Sequence, residues 1–267
     1  MSKEILKLEN VSKNFGGKNE FPAIKNINIS LHNGELACVL GPSGCGKTVL
    51  LRLVAGFLKP TTGRIILDDK EINKPGTDRI LIFQDYILFP WMTVYSNIIF
   101  GLEKSGLSLR QKKVLADKYL KMVGLTKFKN WYTHNLSGGM KQRIAIARAL
   151  ISNPRVLLMD EPFAALDSQS RKHMRANLEK IWQKTKKTIV FVTHSINEAI
   201  VLADTIYLLS SSPARIKKIY KISLPRPRPQ YDSKFMKIAK DIEKEIAKEF
   251  KNNFNHDFKN NLIFKDI

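Results

Sequence analysis

Residues Gly41-Pro42-Ser43-Gly44-Cys45-Gly46-Lys47-Thr48 match the pattern G-x-x-x-x-G-K-[ST]. The chemistry of that pattern is phosphate binding. Its glycines let the backbone curl until successive N–H groups point at phosphate oxygens. The helix that follows adds roughly half a positive charge at its N-terminus. Lys47 would reach the β- and γ-phosphates of a nucleotide, and the Thr48 hydroxyl would ligate Mg²⁺. A second group stands at the end of Arg155-Val156-Leu157-Leu158-Met159-Asp160-Glu161, an apolar strand closed by two carboxylates. Asp160 would hold Mg²⁺ directly or through water. Glu161 is then placed to polarise the attacking water, a role worth about 10²- to 10⁴-fold in rate. An acidic pair alone is an ordinary solvated strand end; beside a phosphate loop it gains a task.

The third group is Leu136-Ser137-Gly138-Gly139-Met140, where two glycines lead into a helix beginning near Gly139. Free N–H groups and the dipole at such a helix start attract an anion.

These groups need elements to hold them. Leu6–Val11 and Ile24–Leu31 alternate apolar and polar, as half-buried strands do, and Asn33-Gly34 is a turn. Leu36–Leu40, Val156–Met159 and Thr188–Val192 are continuous apolar runs, the pattern of buried parallel strands. Arg64–Leu67 is a further strand. Helices are expected over Lys47–Leu58, Leu109–Val123 and Gly138–Ile151, the last with Met140, Ile144, Ala147 and Ile151 on one stripe. Alternating strands and helices argue an α/β fold with a largely parallel sheet. The stretch from about 86 to 150 is helix-dominated, as an inserted subdomain would be.

The 267 residues are 43% hydrophobic and 9% aromatic, which excludes a disordered or fibrous chain. Cys38 and Cys45 exclude a disulfide scaffold and suit a reducing compartment. The net charge of +21 draws the chain to nucleic acid, a membrane surface or phosphorylated ligands, or reflects a lysine-rich composition. Met1-Ser2-Lys3-Glu4-Ile5 lacks an apolar core of signal-peptide length, so export is not expected. Ile80–Leu102 spans 23 residues with one charge, Asp85. It is long enough to cross a bilayer, or it is an apolar surface that a partner covers. Pro225-Arg226-Pro227-Arg228-Pro229 is expected to be an extended linker. Beyond it, Phe235, Ile238, Ile242 and Ile246 mark a helix with Asp232 or Ser233 as its cap. The Asn- and Lys-rich stretch beyond Lys251 is expected to be mobile.

Taken together, the phosphate loop, Ser137-Gly138-Gly139, Asp160-Glu161 and His194 resemble the ATP-binding subunit of ABC transporters, over about residues 4–228. The resemblance implies a P-loop NTPase ABC ATPase fold: a RecA-like α/β core at about 1–85 and 152–228, an antiparallel β region, an α-helical subdomain at about 86–151, and a helical tail at 229–267. It implies ATP and Mg²⁺ as cofactors and a head-to-tail pair of subunits, expected to be identical. Ser137, Gly138 and Gly139 of one subunit would then face the γ-phosphate held by the other.

Phe15 resembles the aromatic that stacks on adenine, its alternative being a core position. Gln84 stands where the family keeps a glutamine touching Mg²⁺ and the attacking water. His194 resembles the switch histidine at the γ-phosphate, and Ala164-Ala165-Leu166-Asp167 resembles the D-loop. Met140, Ala164 and Val49 depart from the usual Gln, Ser and Thr.

Further implied partners are transmembrane permease subunits and, indirectly, a periplasmic or lipid-anchored solute-binding protein. No nucleic acid is expected, and the implied location is peripheral, on the cytoplasmic face of the cell membrane. In this setting Ile87-Leu88-Phe89-Pro90-Trp91-Met92 would line a groove for the permease, or Leu88, Phe89 and Trp91 would pack inside the helical subdomain. The string Phe83–Val94, with its Pro90-Trp91 pair, is similar to the nitrate/sulfonate/taurine importer branch, as are Asp160-Glu161-Pro162-Phe163 and the ending from Ser212-Pro213-Ala214-Arg215-Ile216 to Leu224-Pro225-Arg226-Pro227-Arg228. Import of a vitamin or pyrimidine precursor is the alternative. A non-transport ATPase acting on DNA is disfavoured by the short, CxxC-free stretch between Lys47 and Ser137.

Overall fold

The computed structural model describes residues 3–17 and 20–262, with side chains as far as residue 249. Residues 1–2, part of the start read for an export signal, and 263–267, part of the end expected to be mobile, lie outside the described residues. In chain order the strands are β1 (Glu4–Phe15), β2 (Phe21–His32), β3 (Leu36–Leu40), β4 (Thr62–Leu67), β5 (Lys70–Glu71), β6 (Arg79–Ile82), β7 (Val156–Asp160), β8 (Thr188–Thr193), β9 (Thr205–Leu209) and β10 (Ile216–Lys221). The helices are α1 (Lys47–Ala55), α2 (Val94–Phe100), α3 (Leu109–Met122), α4 (Gly138–Ile151), α5 (Ser168–Thr185), α6 (Ile196–Leu202) and α7 (Ser233–Leu262).

The strands form an antiparallel sheet in the order β2-β1-β4-β5 and a six-stranded sheet in the order β10-β9-β3-β8-β7-β6. In the second sheet every pairing is parallel except β9 with β10. Its continuous apolar runs have a simple cause. Successive side chains of a strand point to opposite faces, and here both faces are covered. Leu36, Cys38 and Leu40 of β3 enter one core, and Ala37 and Val39 the other. Likewise Ile189 and Phe191 of β8 part from Val190 and Val192. The first core lies under the helical region and α5–α7; the second is shared with α1 and the antiparallel sheet.

Register then sets the site. Leu40 is level with Thr193, and Asp160 with Val192. Strands β3, β7 and β8 therefore end in one layer, and the loops after them meet. The crevice beyond the carboxyl ends of parallel strands is the usual ligand site of such sheets.

Two expectations need correcting, and one pair of alternatives is decided. Helix α1 stops at Ala55 and not at Leu58, because Gly56 takes a left-handed φ of 79° and a Cβ there would strike the Lys74 carbonyl at 2.5 Å. The segment 80–102 divides into β6, a loop and α2, and among the described residues no helix is long and apolar enough to cross a membrane. Buried Asn97 organises that loop, donating to the Phe89, Met92 and Thr93 carbonyls and accepting from the Phe89 N–H.

The second correction is the linker. Arg228 is buried and donates to the carbonyls of Ile200, Ala203 and Ile222 near the end of α6. Burial, with Arg226 beside it, lowers its pKa to about 10. Arg226 pairs with Asp204 at 2.7 Å. The segment is thus anchored to the body, not an extended spacer. Asp232, and not Ser233, caps the tail helix by accepting from the Lys234 and Phe235 N–H groups. Phe235, Ala239 and Ile242 of α7 are buried in the first core, and Lys217 of β10 pairs with Glu249 at 2.7 Å. The backbone stays helical to Leu262, past Lys251.

Phe235→Ala is expected to cost about 3–5 kcal/mol of stability, measured by urea unfolding. A loss below about 1 kcal/mol would show a tail that contributes little to the core.

Candidate active site

Gly41 leaves β3 where a Cβ would meet the Cys45 sulfur at 2.9 Å and Leu209 at 3.1 Å. Gly46 has φ 113°, and a Cβ there would lie 3.0 Å from the Ala23 carbonyl. The loop is thus shaped by residues that no other side chain replaces without strain. Gly44 shares the left-handed conformation in open space, and Ser43 is exposed beside it. Cys45 is buried, and burial pushes its thiol pKa up, away from reactivity. Lys47, the first residue of α1, is 5% exposed and donates to the Gly41 and Pro42 carbonyls at 3.0 and 2.7 Å.

Across the crevice, Asp160 is buried at the end of β7 and accepts from the Thr48 hydroxyl at 3.2 Å. Burial raises its carboxyl pKa, the Thr48 bond opposes the rise, and the Glu161 charge adds to it. A hydroxyl and a desolvated carboxylate at this spacing are hard oxygen donors of the kind Mg²⁺ takes. Among the described residues no three His, Cys, Asp or Glu side chains gather as a metal cage. The other ligands of such an ion would be phosphate and water oxygens, which Mg²⁺ commonly keeps.

Glu161 takes a left-handed φ of 42°, unusual for a side chain of its size. Its N–H is held by the Val192 carbonyl at 3.1 Å. One carboxylate oxygen lies 3.6 Å from Lys47 Nζ; the other accepts from His194 Nδ1 at 2.8 Å. Such strain, of order 1–3 kcal/mol, persists where the surroundings impose it and is frequent at active sites. The structure therefore brings together Lys47, Thr48, Asp160, Glu161 and His194, from three strand ends.

The remaining expected residues stand apart from that cluster. Phe15 is exposed at the end of β1 and not a core residue, with Lys13 over its ring. Gln84 is exposed on the loop after β6. Ser137 caps α4, accepting from the Met140 N–H at 3.4 Å, with Gly138 and Gly139 in the first turn. A Cβ on Gly138 would come within 3.1 Å of both the Tyr86 hydroxyl and Leu166. Asp167 caps α5 through the Gln169 and Ser170 N–H groups.

A cavity of about 360 Å³ opens between β6, α2 and α4, lined by Phe83, Tyr86, Ile87, Phe89, Phe100 and Arg148 among others. Trp91 is 70% exposed beside Phe89, whereas Leu88 packs into the core. The apolar string thus splits: Leu88 packs against the interior, half-buried Phe89 lines the cavity, and Ile87 and Trp91 are exposed. Sequence reading missed Arg148, which donates to the Ile87 carbonyl at 2.6 Å and lies over the Phe89 ring. It also missed Glu198, a buried carboxylate on α6, and Arg171 on α5. A glutamate in a seven-residue helix whose other residues are apolar except Asn197 was the available signal.

The family model described as ABC transporter matches residues 24–164. An uncharacterized ABC transporter ATP-binding protein of Methanocaldococcus jannaschii is 50% identical over 239 residues, covering 89% of each chain. The nitrate import ATP-binding protein of Synechocystis is 44% identical over 89% of this chain and 90% of its own. The taurine import ATP-binding protein of Pelagibacter ubique is 48% identical over 75% and 76%. Among solved structures, a dimeric ATP-binding cassette in a post-hydrolysis state bound to ADP and Pi superposes with a TM-score of 0.70. It is 31% identical and covers 83% of this chain and 100% of that one.

Because a raised carboxyl pKa favours the protonated form, Asp160 lowers the stability of the nucleotide-free protein once it ionises. Stability is highest below the unfolded value of about 3.9 and is lost as pH rises through the higher folded value. Asp160→Asn should therefore raise the melting temperature more at pH 8 than at about pH 3, below the unfolded value. An equal or smaller gain at pH 8 would contradict the assignment.

Proposed function

Because this chain belongs to the ABC transporter family, we propose that it is the ATPase subunit of an importer for nitrate, taurine or a related small solute. Its enzymatic activity is ATP hydrolysis, and the observation that carries the site assignment is Glu161 held between Lys47 and His194. The nitrate and taurine import relatives support the solute class.

In this reading the glycine loop and the start of α1 hold the β- and γ-phosphates, and Lys47 turns from the loop carbonyls to them. Thr48 and Asp160 would hold Mg²⁺, which supplies charge neutralisation at the phosphates when bound. Glu161 takes the attacking water's proton toward its carboxylate. His194 fixes that carboxylate through Nδ1 and contacts the γ-phosphate, with Gln84 completing the water's surroundings. Phe15 stacks on the base. Ser137, Gly138 and Gly139 of a second copy close over the nucleotide, with Asp167 nearby, giving two composite sites in a two-fold pair. The higher affinity of ATP for the closed pair drives closure, and hydrolysis reopens it.

The membrane pathway lies on separate permease subunits, and an accessory solute-binding protein selects the cargo. The apolar cavity beside Trp91 supports docking of a permease segment there, because exposed aromatic groups around an apolar recess are typical interface anchors. The positive charge supports a position on the cytoplasmic leaflet. Residues 1–228 form the ATPase unit in this reading, and 229–267 a tail that braces it.

Glu161→Gln should bind ATP and dimerise in its presence, seen by light scattering, while turnover falls about 10²- to 10⁴-fold. Near-normal turnover would remove Glu161 from the role. Trp91→Ala should keep the intrinsic turnover but lose co-sedimentation with host membranes; undiminished sedimentation would place the docking surface elsewhere.

A further inference from the structure

We propose that Glu198 and Arg171 are positioning residues for hydrolysis: an ion pair of a buried carboxylate with a half-buried guanidinium, which locks the loop carrying His194 to the loop following Glu161. This inference rests on the reading of Glu161 and His194 given above.

The Glu198 side chain is nearly inaccessible, at 4% exposure. A charge so buried is seldom present unless paired. One of its oxygens accepts from the Thr193 hydroxyl at 2.6 Å. Thr193 ends β8 immediately before His194, and its hydroxyl also accepts from the Ser195 N–H at 3.0 Å. Ser195 in turn caps α6 by accepting from the Glu198 N–H. The backbone on both sides of His194 is thus fixed to one carboxylate.

The other Glu198 oxygen faces Arg171 Nε at 3.8 Å. The far arm of Arg171 donates to the Leu166 carbonyl at 3.0 Å and reaches that of Ala164 at 3.5 Å. These carbonyls belong to the loop between Glu161 and α5. The route therefore runs from His194, through Thr193, Glu198 and Arg171, to residues 164–166, and the two loops meet again at the Glu161–His194 hydrogen bond. Glu161, Thr193, His194, Glu198 and Arg171 border one small cavity.

A further detail separates this arrangement from a simple brace. Arg171 Nε is buried without a hydrogen-bond partner, yet it points at a carboxylate. An approach of the two loops by about 1 Å would turn the ion-pair distance into a charge-assisted hydrogen bond. The ring and carboxylate would then be clamped from behind by a contact that tightens when the loops draw together. Neither residue touches the reacting atoms; each acts through the loops.

The test uses the full chain. Turnover at saturating ATP and Mg²⁺, nucleotide affinity and melting temperature are measured for Glu198→Gln, Arg171→Met, the double variant and, for reference, Glu161→Gln. Gln at 198 keeps an acceptor for Thr193 but removes the charge facing Arg171. Each single variant should lose about 10- to 100-fold in kcat, the range typical of supporting-shell changes, with nucleotide affinity unchanged. The double variant should be no slower than the slower single one, because the two act as a unit. Should Glu198→Gln not fold, Thr193→Val breaks the same chain and should show the same split. Unchanged kcat, losses that multiply, or kcat and affinity falling together with the melting temperature would each overturn the proposal. Normal turnover in Glu161→Gln would instead overturn the underlying site reading.

Discussion

A single carboxylate, that of Glu161, stands between an ammonium group 3.6 Å away and an imidazole 2.8 Å away, on a backbone twisted to φ 42°. Much of the fold serves that arrangement. Lys47 reaches it because β3 ends in a loop whose glycines turn the chain back into α1. His194 reaches it because β8 ends level with β3 and beside β7. The parallel sheet has covered faces on both sides, so its strands cannot slip register without moving apolar side chains into the wrong core. Packing of ordinary apolar residues thereby fixes the spacing of charged ones.

The helical region is joined to this layer through contacts of its own. Tyr86 borders the apolar cavity and also lies against Gly138 at the start of α4. Leu166, on the loop after Glu161, meets Gly138 from another side. The cavity, the Ser137 loop and the loop after Glu161 thus share one packing junction. A Cβ on Gly138 would press on both neighbours at 3.1 Å, so a side chain there requires Tyr86 and Leu166 to give way by a few tenths of an ångström.

Much of this was legible in the sequence because its signals are local. The phosphate loop, the Asp160-Glu161 strand and the helix Gly138–Ile151 each carry their pattern within about a dozen residues. What stayed hidden depends on partners far away in the chain. Arg226 and Arg228 read as linker residues, and their burial follows from carbonyls and a carboxylate some 20 residues or more upstream. Trp91 and Leu88 look alike as apolar letters; which one faces outward is decided by the turn that Asn97 holds. Glu198 and Arg171 are 27 positions apart and match no short motif. The apolar stretch 80–102 left a membrane span open beside a partner-covered surface, because composition alone does not reveal that its ends belong to a strand and a helix.

We propose that ATP hydrolysis at Glu161 powers a membrane-embedded partner. The most direct measurement is affinity capture from detergent-solubilised host membranes with tagged Glu161→Gln, ATP and Mg²⁺ present to hold the closed pair. Co-purification of a polytopic permease with the ATPase is the expected result. Recovery of nucleic acid or ribosomes without a membrane protein would contradict it, and the net charge of +21 would then have marked the true partner.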